Sequence, residues 1–211
     1  AMDKGVTKAM FQMRGVSTPG GKAMKKKDRQ DSLAALGMEF PVVVKTCCGG
    51  SSIGVYIVDN QEDYVKALDE AFEYENEVVI EEFIKGMEYT VAVVDGTAYP
   101  VVQIVPKEGF YDYENKYKPG AVQETCPAPI SEELTKRLQE AAVDGYHALE
   151  MESYARLDFI VTEDEQIYCL EANTLPGMTP TSLIPQEAAV LGMDYPTLCE
   201  ELIRVSQKKY D

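Results

Sequence analysis

The sequence predicts an α+β fold of two lobes with a cleft between them. Strand-like runs come in pairs joined by short turns, as on either side of Asp95-Gly96, a pattern typical of antiparallel hairpins. Helical patterns are set apart from these pairs and do not alternate regularly with them. We expect the boundary near Val79, which gives lobes of residues 1–79 and 80–211, each with an antiparallel or mixed sheet and helices.

In the first lobe, the spacing of apolar residues and turn formers sets the elements. Apolar residues every three or four positions between Val6 and Met13 favour a helix. The basic run at 22–29 indicates a solvated connection, and Asn60 is placed to cap a helix. The expected order is helix, basic connection, short helix, strand, strand and helix, at residues 3–14, 22–29, 31–36, 40–45, 55–58 and 61–74.

A short strand lies at the lobe boundary, and the second lobe continues with hairpins. Ser131, followed by two glutamates, is placed to cap a long helix. Pro180 and Pro185 bracket a segment that we expect to be irregular. The expected order is strand, hairpin, polar loop, helix, hairpin and helix, at residues 78–80, 89–105, 107–120, 131–149, 156–173 and 196–207.

Composition alone argues against several classes of partner and site. The formal net charge of −16 argues against nucleic acid and anionic membranes as partners. No apolar run is long enough to span a bilayer, and the amino terminus lacks a secretory pattern. Five cysteines, with Cys47 and Cys48 adjacent, fit free thiols in a reducing cytoplasm. His147 is the only histidine, which disfavours histidine triads and multi-histidine metal sites.

The hairpin over 156–173 carries the strongest functional signal. Arg156 and Asp158 share one face of its first strand, and Glu171 and Asn173 share one face of its second. Pairing the strands gathers two carboxylates, a carboxamide oxygen and a guanidinium on one surface. Oxygen ligands suit a Mg²⁺ ion that bridges substrate phosphates, and the arginine would neutralise charge during phosphoryl transfer. The alternative is an ordinary hairpin whose polar face meets solvent.

A glycine-rich run at 49–54, preceded by Lys45, is the second signal. Its glycines let backbone N–H groups approach an anion closely. The run lacks the terminal Lys-Ser/Thr of a P-loop and leads into a strand. We therefore interpret it as a flap that closes over a triphosphate, although ordinary hairpin turns contain similar glycines.

The acidic segment at 81–88 is the third signal, and it follows a strand. Glu81 and Glu82 would offer carboxylates and backbone groups to adenine and ribose. Phe83 and Ile84 would serve as apolar walls. The alternative is an exposed acidic connector, so this segment has meaning only beside the other two.

Together these segments resemble the D-alanine–D-alanine ligase family of the ATP-grasp superfamily. The resemblance extends from Met2-Asp-Lys4 to the last helix. It rests on Lys45 with Gly50-Ser-Ser-Ile-Gly54, Phe110-Tyr-Asp-Tyr-Glu-Asn-Lys116-Tyr117, Arg156-Leu-Asp158, and Glu171-Ala-Asn173-Thr-Leu-Pro-Gly-Met-Thr179. It implies an ATP-grasp fold with the nucleotide cleft between the lobes, and ATP- and Mg²⁺-dependent synthesis of D-alanyl-D-alanine for peptidoglycan.

The resemblance also implies a role for each matching residue. The nucleotide would be bound by Lys4, Lys45, Gly50, Ser51, Ser52, Gly54, Glu81, Glu82, Phe83, Ile84, Glu88, Phe110, Lys116, Ile160 and Leu170. Two Mg²⁺ ions, or Mn²⁺ in their place, would be held by Asp158, Glu171 and Asn173. The catalytic and D-alanine-binding residues would be Ser51, Tyr117, Arg156, Gly177, Ser182 and Leu183. Strand alternation would put Leu170 on the face opposite Glu171.

The implied reaction has two steps. The carboxylate of one D-alanine attacks the γ-phosphate of ATP, giving an acyl phosphate and ADP, and the amine of a second D-alanine then displaces phosphate. Arg156 and the backbone N–H of Gly177 would stabilise the tetrahedral intermediate. Ser51 and Tyr117 would steady the flap and the second substrate, and a tyrosine at 117 favours an amine nucleophile over a hydroxy acid.

The sequence departs from the family pattern in two places. Family members carry an amino-terminal domain that holds the first D-alanine, and nothing here corresponds to it, so we expect an incomplete active site and a homodimer only in the full-length protein. Thr46 and Cys47 stand where the family has proline and other residues. The alternatives are a non-catalytic ATP-binding module and an ATP-grasp ligase for another amino or hydroxy acid.

Overall fold

The computed structural model describes residues 2–50, 54–106 and 122–210. In chain order its helices are α1 (Lys4–Met13), α2 (Gln61–Tyr74), α3 (Glu132–Ala148), α4 (Leu183–Val190) and α5 (Tyr195–Gln207). Its strands are β1 (Gly21–Lys25), β2 (Val42–Thr46), β3 (Val55–Val58), β4 (Glu77–Glu82), β5 (Met87–Val94), β6 (Thr97–Ala98), β7 (Val102–Pro106), β8 (Val122–Thr125), β9 (Tyr154–Val161) and β10 (Ile167–Asn173). Short 3-10 turns lie at Lys26–Asp28, Leu33–Leu36 and Lys208–Tyr210.

The first sheet is antiparallel in the order β1-β4-β2-β3, and α2 covers one of its faces. Asn60 caps α2 by accepting a hydrogen bond from the Asp63 N–H at 2.9 Å. The buried stripe of α2, including Tyr64 and Leu68, packs against Val44 of β2. Burying each such side chain stabilises the fold by about 1.5–3 kcal/mol. The opposite face of this sheet is left for the functional site.

The second sheet is antiparallel in the order β10-β9-β5-β7-β8, with β6 paired to β5. Along β9 the burial alternates, so Leu157 and Phe159 join a core with α1 and α3. Arg156 and Asp158 therefore point to the other side of the sheet. On that side α4 and α5 form a further core around β5. The α+β prediction is confirmed by these two antiparallel sheets with separate helices.

Some element predictions are wrong, each for a physical reason. The run at 22–29 is not merely a connection, because residues 21–25 form edge strand β1, in which Lys22 and Lys25 are exposed and Met24 is buried. The second strand of the hairpin expected at 89–105 begins only at Val102, because Pro100 has no N–H to donate. Pro185 lies inside α4, in the first turn, where a missing N–H costs nothing.

The chain passes from the first sheet to the second at residues 83–86. Strand β4 continues without a break through Val79, which pairs with both Ala23 of β1 and Lys45 of β2. Helix α1 packs with the second sheet through Phe11, although it comes first in the chain.

The helix prediction for residues 3–14 is confirmed, but its apolar positions do not form the buried face. Val6 is 60% exposed and Met13 is 79% exposed, whereas Thr7, Lys8 and Phe11 are buried. Two of those three buried side chains are polar, so hydrophobic spacing alone cannot identify this face. Among the described residues, no helix is both long and apolar enough to cross a membrane.

Candidate functional site

A cavity of ≈ 530 Å³ lies between the two sheets. Its walls are the face of the first sheet that α2 leaves uncovered, the connection at 83–86, and the polar face of β9 and β10. The predicted site residues that line it are Lys4, Lys45, Gly50, Glu81, Glu82, Phe83, Ile84, Glu88, Arg156, Asp158, Ile160, Leu170, Glu171 and Leu183. The cavity thus gathers positions that are far apart in the sequence.

The remaining predicted site residues divide into two groups. Gly54, Asn173, Gly177 and Ser182 lie outside the lining of the cavity, although Asn173 contacts two residues that line it. Ser51, Ser52, Phe110, Lys116 and Tyr117 lie outside the described residues. Their predicted roles remain predictions.

The β9–β10 hairpin brings the four polar side chains together. Glu171 pairs with Asp158, and Asn173 pairs with Arg156. Arg156 donates to Asp158 from Nε at 2.9 Å and from a terminal nitrogen at 2.8 Å. The Asn173 amide donates to Asp158 at 2.9 Å and to Glu171 at 3.2 Å. This face does not simply meet solvent, because the Arg156 and Asp158 side chains are only 11% and 19% exposed.

This donor set fits a hard divalent cation. Two carboxylates converge on one amide N–H₂, and a half-turn of that amide would present its oxygen to the same point. Mg²⁺ binds through one or two carboxylates and keeps several waters and substrate oxygens as ligands. Among the described residues, no group of three or more His, Cys, Asp and Glu side chains is placed to hold a metal ion, so the set rests on two acids and one amide.

A β-bulge in β10 explains how Leu170 reaches the cavity. The register of β10 against β9 shifts between Cys169 and Glu171. A bulge inserts one residue, so two consecutive side chains can face the same side. Both Leu170 and Glu171 line the cavity, which corrects the expectation from alternation that they lie on opposite faces.

Lys4 connects the glycine run to the carboxylates. Its Nζ donates to the Gly49 carbonyl and lies 3.8 Å from Glu171 Oε2. Asp3 caps α1 by accepting from the Val6 N–H at 2.9 Å, and the Lys4 N–H donates to the Cys47 carbonyl at 2.8 Å. The start of α1 is therefore fixed beside the loop, and its lysine side chain enters the cavity.

Glu81, which is only 3% exposed, lies between two lysines. The Lys45 ammonium donates to Glu81 Oε1, and the Lys8 ammonium lies 2.9 Å from Oε2. Burial acts to raise the pKa of Glu81, but the charges and hydrogen bonds of Lys45 and Lys8 outweigh it and hold the pKa below its ordinary value. Burial lowers the pKa of Lys8, and Glu81 offsets part of that effect.

The connection at 83–86 forms an apolar end of the cavity. Phe83 and Ile84 line it together with Ile160, which pairs across the sheet with Glu88. Gly86 is required at this point, because a Cβ there would stand 2.3 Å from the Val161 carbonyl oxygen. The chain therefore passes close beside the end of β9 before it pairs with that strand as β5.

Ser182 and Gly177 meet at the start of α4. Ser182 Oγ accepts from the Thr179 N–H at 3.1 Å, and a Cβ on Gly177 would stand 3.1 Å from the same Oγ. Leu183, the next residue, lines the cavity. The loop before α4 thus brings Gly177, Ser182 and Leu183, which are predicted to bind D-alanine, to one edge of the site.

Sequence reasoning missed two buried charged groups. Lys8 is 7% exposed and follows Lys4 by one helical turn, which is the only sequence signal for it. Glu187 on α4 is fully buried, and its Oε2 accepts from the Ala92 N–H at 2.8 Å. Ala92 pairs across the sheet with Arg156, so Glu187 supports the strand beside that arginine. No sequence signal marks Glu187.

Known proteins share this arrangement. A family model described as "D-ala D-ala ligase C-terminus" matches residues 8–204. The D-alanine–D-alanine ligase of Syntrophotalea carbinolica is 43% identical over 96% of this chain and 65% of its own length. That of Pediococcus pentosaceus is 39% identical over 100% of this chain and 60% of its own length.

Solved structures agree with the sequence relatives. The D-alanine–D-alanine ligase of Bacillus anthracis complexed with ATP superposes with a TM-score of 0.84 at 34% identity, covering 98% of this chain and 66% of that protein. The VanG D-Ala:D-Ser ligase of Enterococcus faecalis gives 0.86 at 30% identity, covering 97% of this chain and 61% of that protein. The chain therefore spans about two thirds, or less, of the proteins that it matches.

Proposed function

This chain belongs to the family of D-alanine–D-alanine ligase carboxy-terminal domains, and from that premise we propose that it binds ATP with Mg²⁺ in the cavity between its sheets. The apolar slot at 83–86 would take the adenine, with Glu81 at its amino group and Glu88 at the ribose. Lys4, Lys45 and the glycine run would take the triphosphate. The D-alanine–D-alanine ligase complexed with ATP supports this assignment.

The residues on the β9–β10 hairpin would act on the transferring phosphoryl group. Asp158, Glu171 and Asn173 would hold two Mg²⁺ ions, or Mn²⁺. The bound ions would neutralise charge on the phosphate oxygens. Arg156, oriented by its two bonds to Asp158, would stabilise charge at the reacting carbonyl together with the Gly177 N–H. Ser182 and Leu183 would lie beside the carboxylate of the second amino acid.

We infer that the complete protein is an ATP-dependent carboxylate–amine ligase that joins two D-alanine molecules for peptidoglycan synthesis. The part of the relatives' length that this chain does not span would complete the site and support a homodimer. The five cysteines are free, which fits a cytoplasmic protein. Neither nucleic acid nor membrane is a proposed partner. Relatedness to a D-Ala:D-Ser ligase keeps a different second amino acid as the alternative, and a purely nucleotide-binding module is the other.

The observation that carries this proposal is that Asp158 and Glu171 line a cavity bordered by Lys4, while Asn173 contacts both carboxylates. Glu171→Gln should weaken Mg²⁺-dependent ATP affinity by about tenfold or more, about 1.4 kcal/mol, because it removes a charged metal ligand. Calorimetry with and without Mg²⁺ measures this. Glu163→Gln is the matched control, since Glu163 is exposed in the turn of the same hairpin. Equal affinities for wild type and Glu171→Gln would refute the metal assignment.

A further inference from the structure

Lys8 is a buried side chain whose ammonium group contacts three oxygen atoms. Its Nζ lies 2.9 Å from Glu81 Oε2, 3.1 Å from Thr18 Oγ1 and 2.5 Å from the Pro19 carbonyl oxygen. The Thr18 hydroxyl and the Pro19 carbonyl accept hydrogen bonds from the ammonium, and the Glu81 carboxylate forms an ion pair with it. Lys8 is therefore fixed in place by three oxygen atoms.

The two lysines contact Glu81 from different sides. Lys45 lines the cavity with Glu81, whereas Lys8 is not part of the lining. Lys45 donates to Oε1 and Lys8 pairs with Oε2. The carboxylate thus has one cation next to the space where the triphosphate is proposed to bind, and one cation behind it.

This arrangement matters because a buried carboxylate cannot cheaply lose its last counter-ion. Removing one partner of a buried ion pair leaves an uncompensated charge, which is strongly unfavourable. With Lys8 in place, Glu81 keeps a partner when Lys45 turns toward a phosphate. Without Lys8, Lys45 would be the only cation beside Glu81 among the described residues, and moving it would strand the charge.

We propose that Lys8 is a positioning residue, a permanent counter-ion of Glu81 that releases Lys45 for the triphosphate of the nucleotide. The inference rests on the proposed function and deepens it, since Lys8 itself touches no substrate. The two lysines therefore have different roles. Lys45 moves from Glu81 to the triphosphate when the nucleotide binds, whereas Lys8 remains paired with Glu81.

A double-mutant cycle on this chain tests the proposal. Lys8→Met should reduce ATP affinity about tenfold more than it reduces adenosine affinity, because only ATP requires Lys45 to leave Glu81. In the Lys8→Met/Glu81→Gln variant there is no Glu81 carboxylate that could be left without a counter-ion. Its ATP affinity should therefore return to within about threefold of Glu81→Gln alone. A merely structural role for Lys8 would not give this recovery.

Two results would overturn the proposal while leaving ATP binding by the wild type intact. One is that Lys8→Met lowers the affinities for ATP and adenosine equally. The other is that the double variant does not recover ATP affinity. A wild-type chain that binds no ATP would instead refute the proposed function, and the inference with it.

If Lys8→Met fails to fold, nitrogen-15 NMR of the wild-type lysine ammonium groups carries the test, with Lys45→Arg used for assignment. ATP should shift the Lys45 resonance and leave that of Lys8 in place. A Lys45 resonance that does not move would contradict the proposal.

Discussion

At the scale of single residues, the buried lysine and glutamate side chains of the described part of the chain lie around the site. Lys8 of α1 forms one group with Lys45 and Glu81 of the first sheet, and Glu187 of α4 contacts Ala92 in the second sheet. Burying charge without compensation is unfavourable. The first group is compensated by ion pairs. Glu187 is compensated differently, because burial raises its pKa well above the ordinary value of 4.5 and favours the neutral acid.

This difference predicts a pH-dependent stability for Glu187→Gln. Above pH 4.5 the unfolded carboxyl releases its proton while the folded one keeps it, so wild-type stability falls as pH rises toward the folded pKa. Glutamine cannot ionise, and its oxygen can still accept from the Ala92 N–H. The variant should therefore melt above the wild type at pH 7, with each kcal/mol worth about 2–4 °C.

The measurement is a pair of melting curves at pH 7 and pH 4. The difference between variant and wild type should shrink at pH 4, where both states of the wild type are protonated. A difference that is constant with pH would show that Glu187 does not titrate on unfolding.

Sequence reasoning reached some residues of the site and not others, for a physical reason. The proximity of Asp158, Glu171 and Asn173 could be predicted because strand alternation places all three on one face of the hairpin. Lys8 and Glu187 could not, because a buried charge becomes interpretable only through partners distant in the chain. Glu187 meets Ala92, 95 positions away, and no local pattern records that contact.

At the scale of elements, irregularities place the site as much as the regular strands do. The bulge before Glu171 turns Leu170 toward the cavity, and Gly86 allows the connection between the sheets to pass close to Val161 and Ile160 of β9. Both are local deviations from ideal strand geometry. The regular alternation of β9 then supplies the polar face.

Gly86→Ala should destabilise the protein, because its Cβ would stand 2.3 Å from the Val161 carbonyl oxygen and 2.6 Å from Ile160 Cγ2. Overpacking of this kind costs about 1–3 kcal/mol, or a loss of roughly 2–12 °C in melting temperature. Gly50→Ala is the control, since an added Cβ there meets nothing within 4 Å in the described part of the chain. The measurement is the melting temperature of each variant compared with the wild type. An unchanged melting temperature for Gly86→Ala would contradict the close approach of residue 86 to Val161.

The helices with clear caps and the hairpins with clear turns could be predicted from the sequence. Asn60 and Ser131 both accept the capping bond expected of them. Strand β1 could not be predicted, because its lysines resemble a solvated charge run until Met24 is seen packed in the core. Helix α4 was missed because a proline usually marks a break and here occupies the first turn.

At the scale of the whole molecule, two sheets face each other across one cavity in a strongly acidic protein. A net charge of −16 repels an anionic ligand at long range, so local cations must outweigh it. Lys4, Lys45 and Arg156 are all on the cavity wall. The composition argues against nucleic acid as a partner, but only the fold brings these three cations to one place.

The central claim is that a divalent cation held by the β9–β10 hairpin bridges to a nucleotide in this cavity. The most direct measurement is a crystal structure of the chain with Mn²⁺ and a non-hydrolysable ATP analogue, with the ion located by its anomalous scattering. We predict a Mn²⁺ peak about 2.0–2.3 Å from oxygens of Asp158, Glu171 and Asn173, and adenine beside Phe83 and Ile84. An ordered nucleotide whose metal ion lies away from these three side chains would contradict the account.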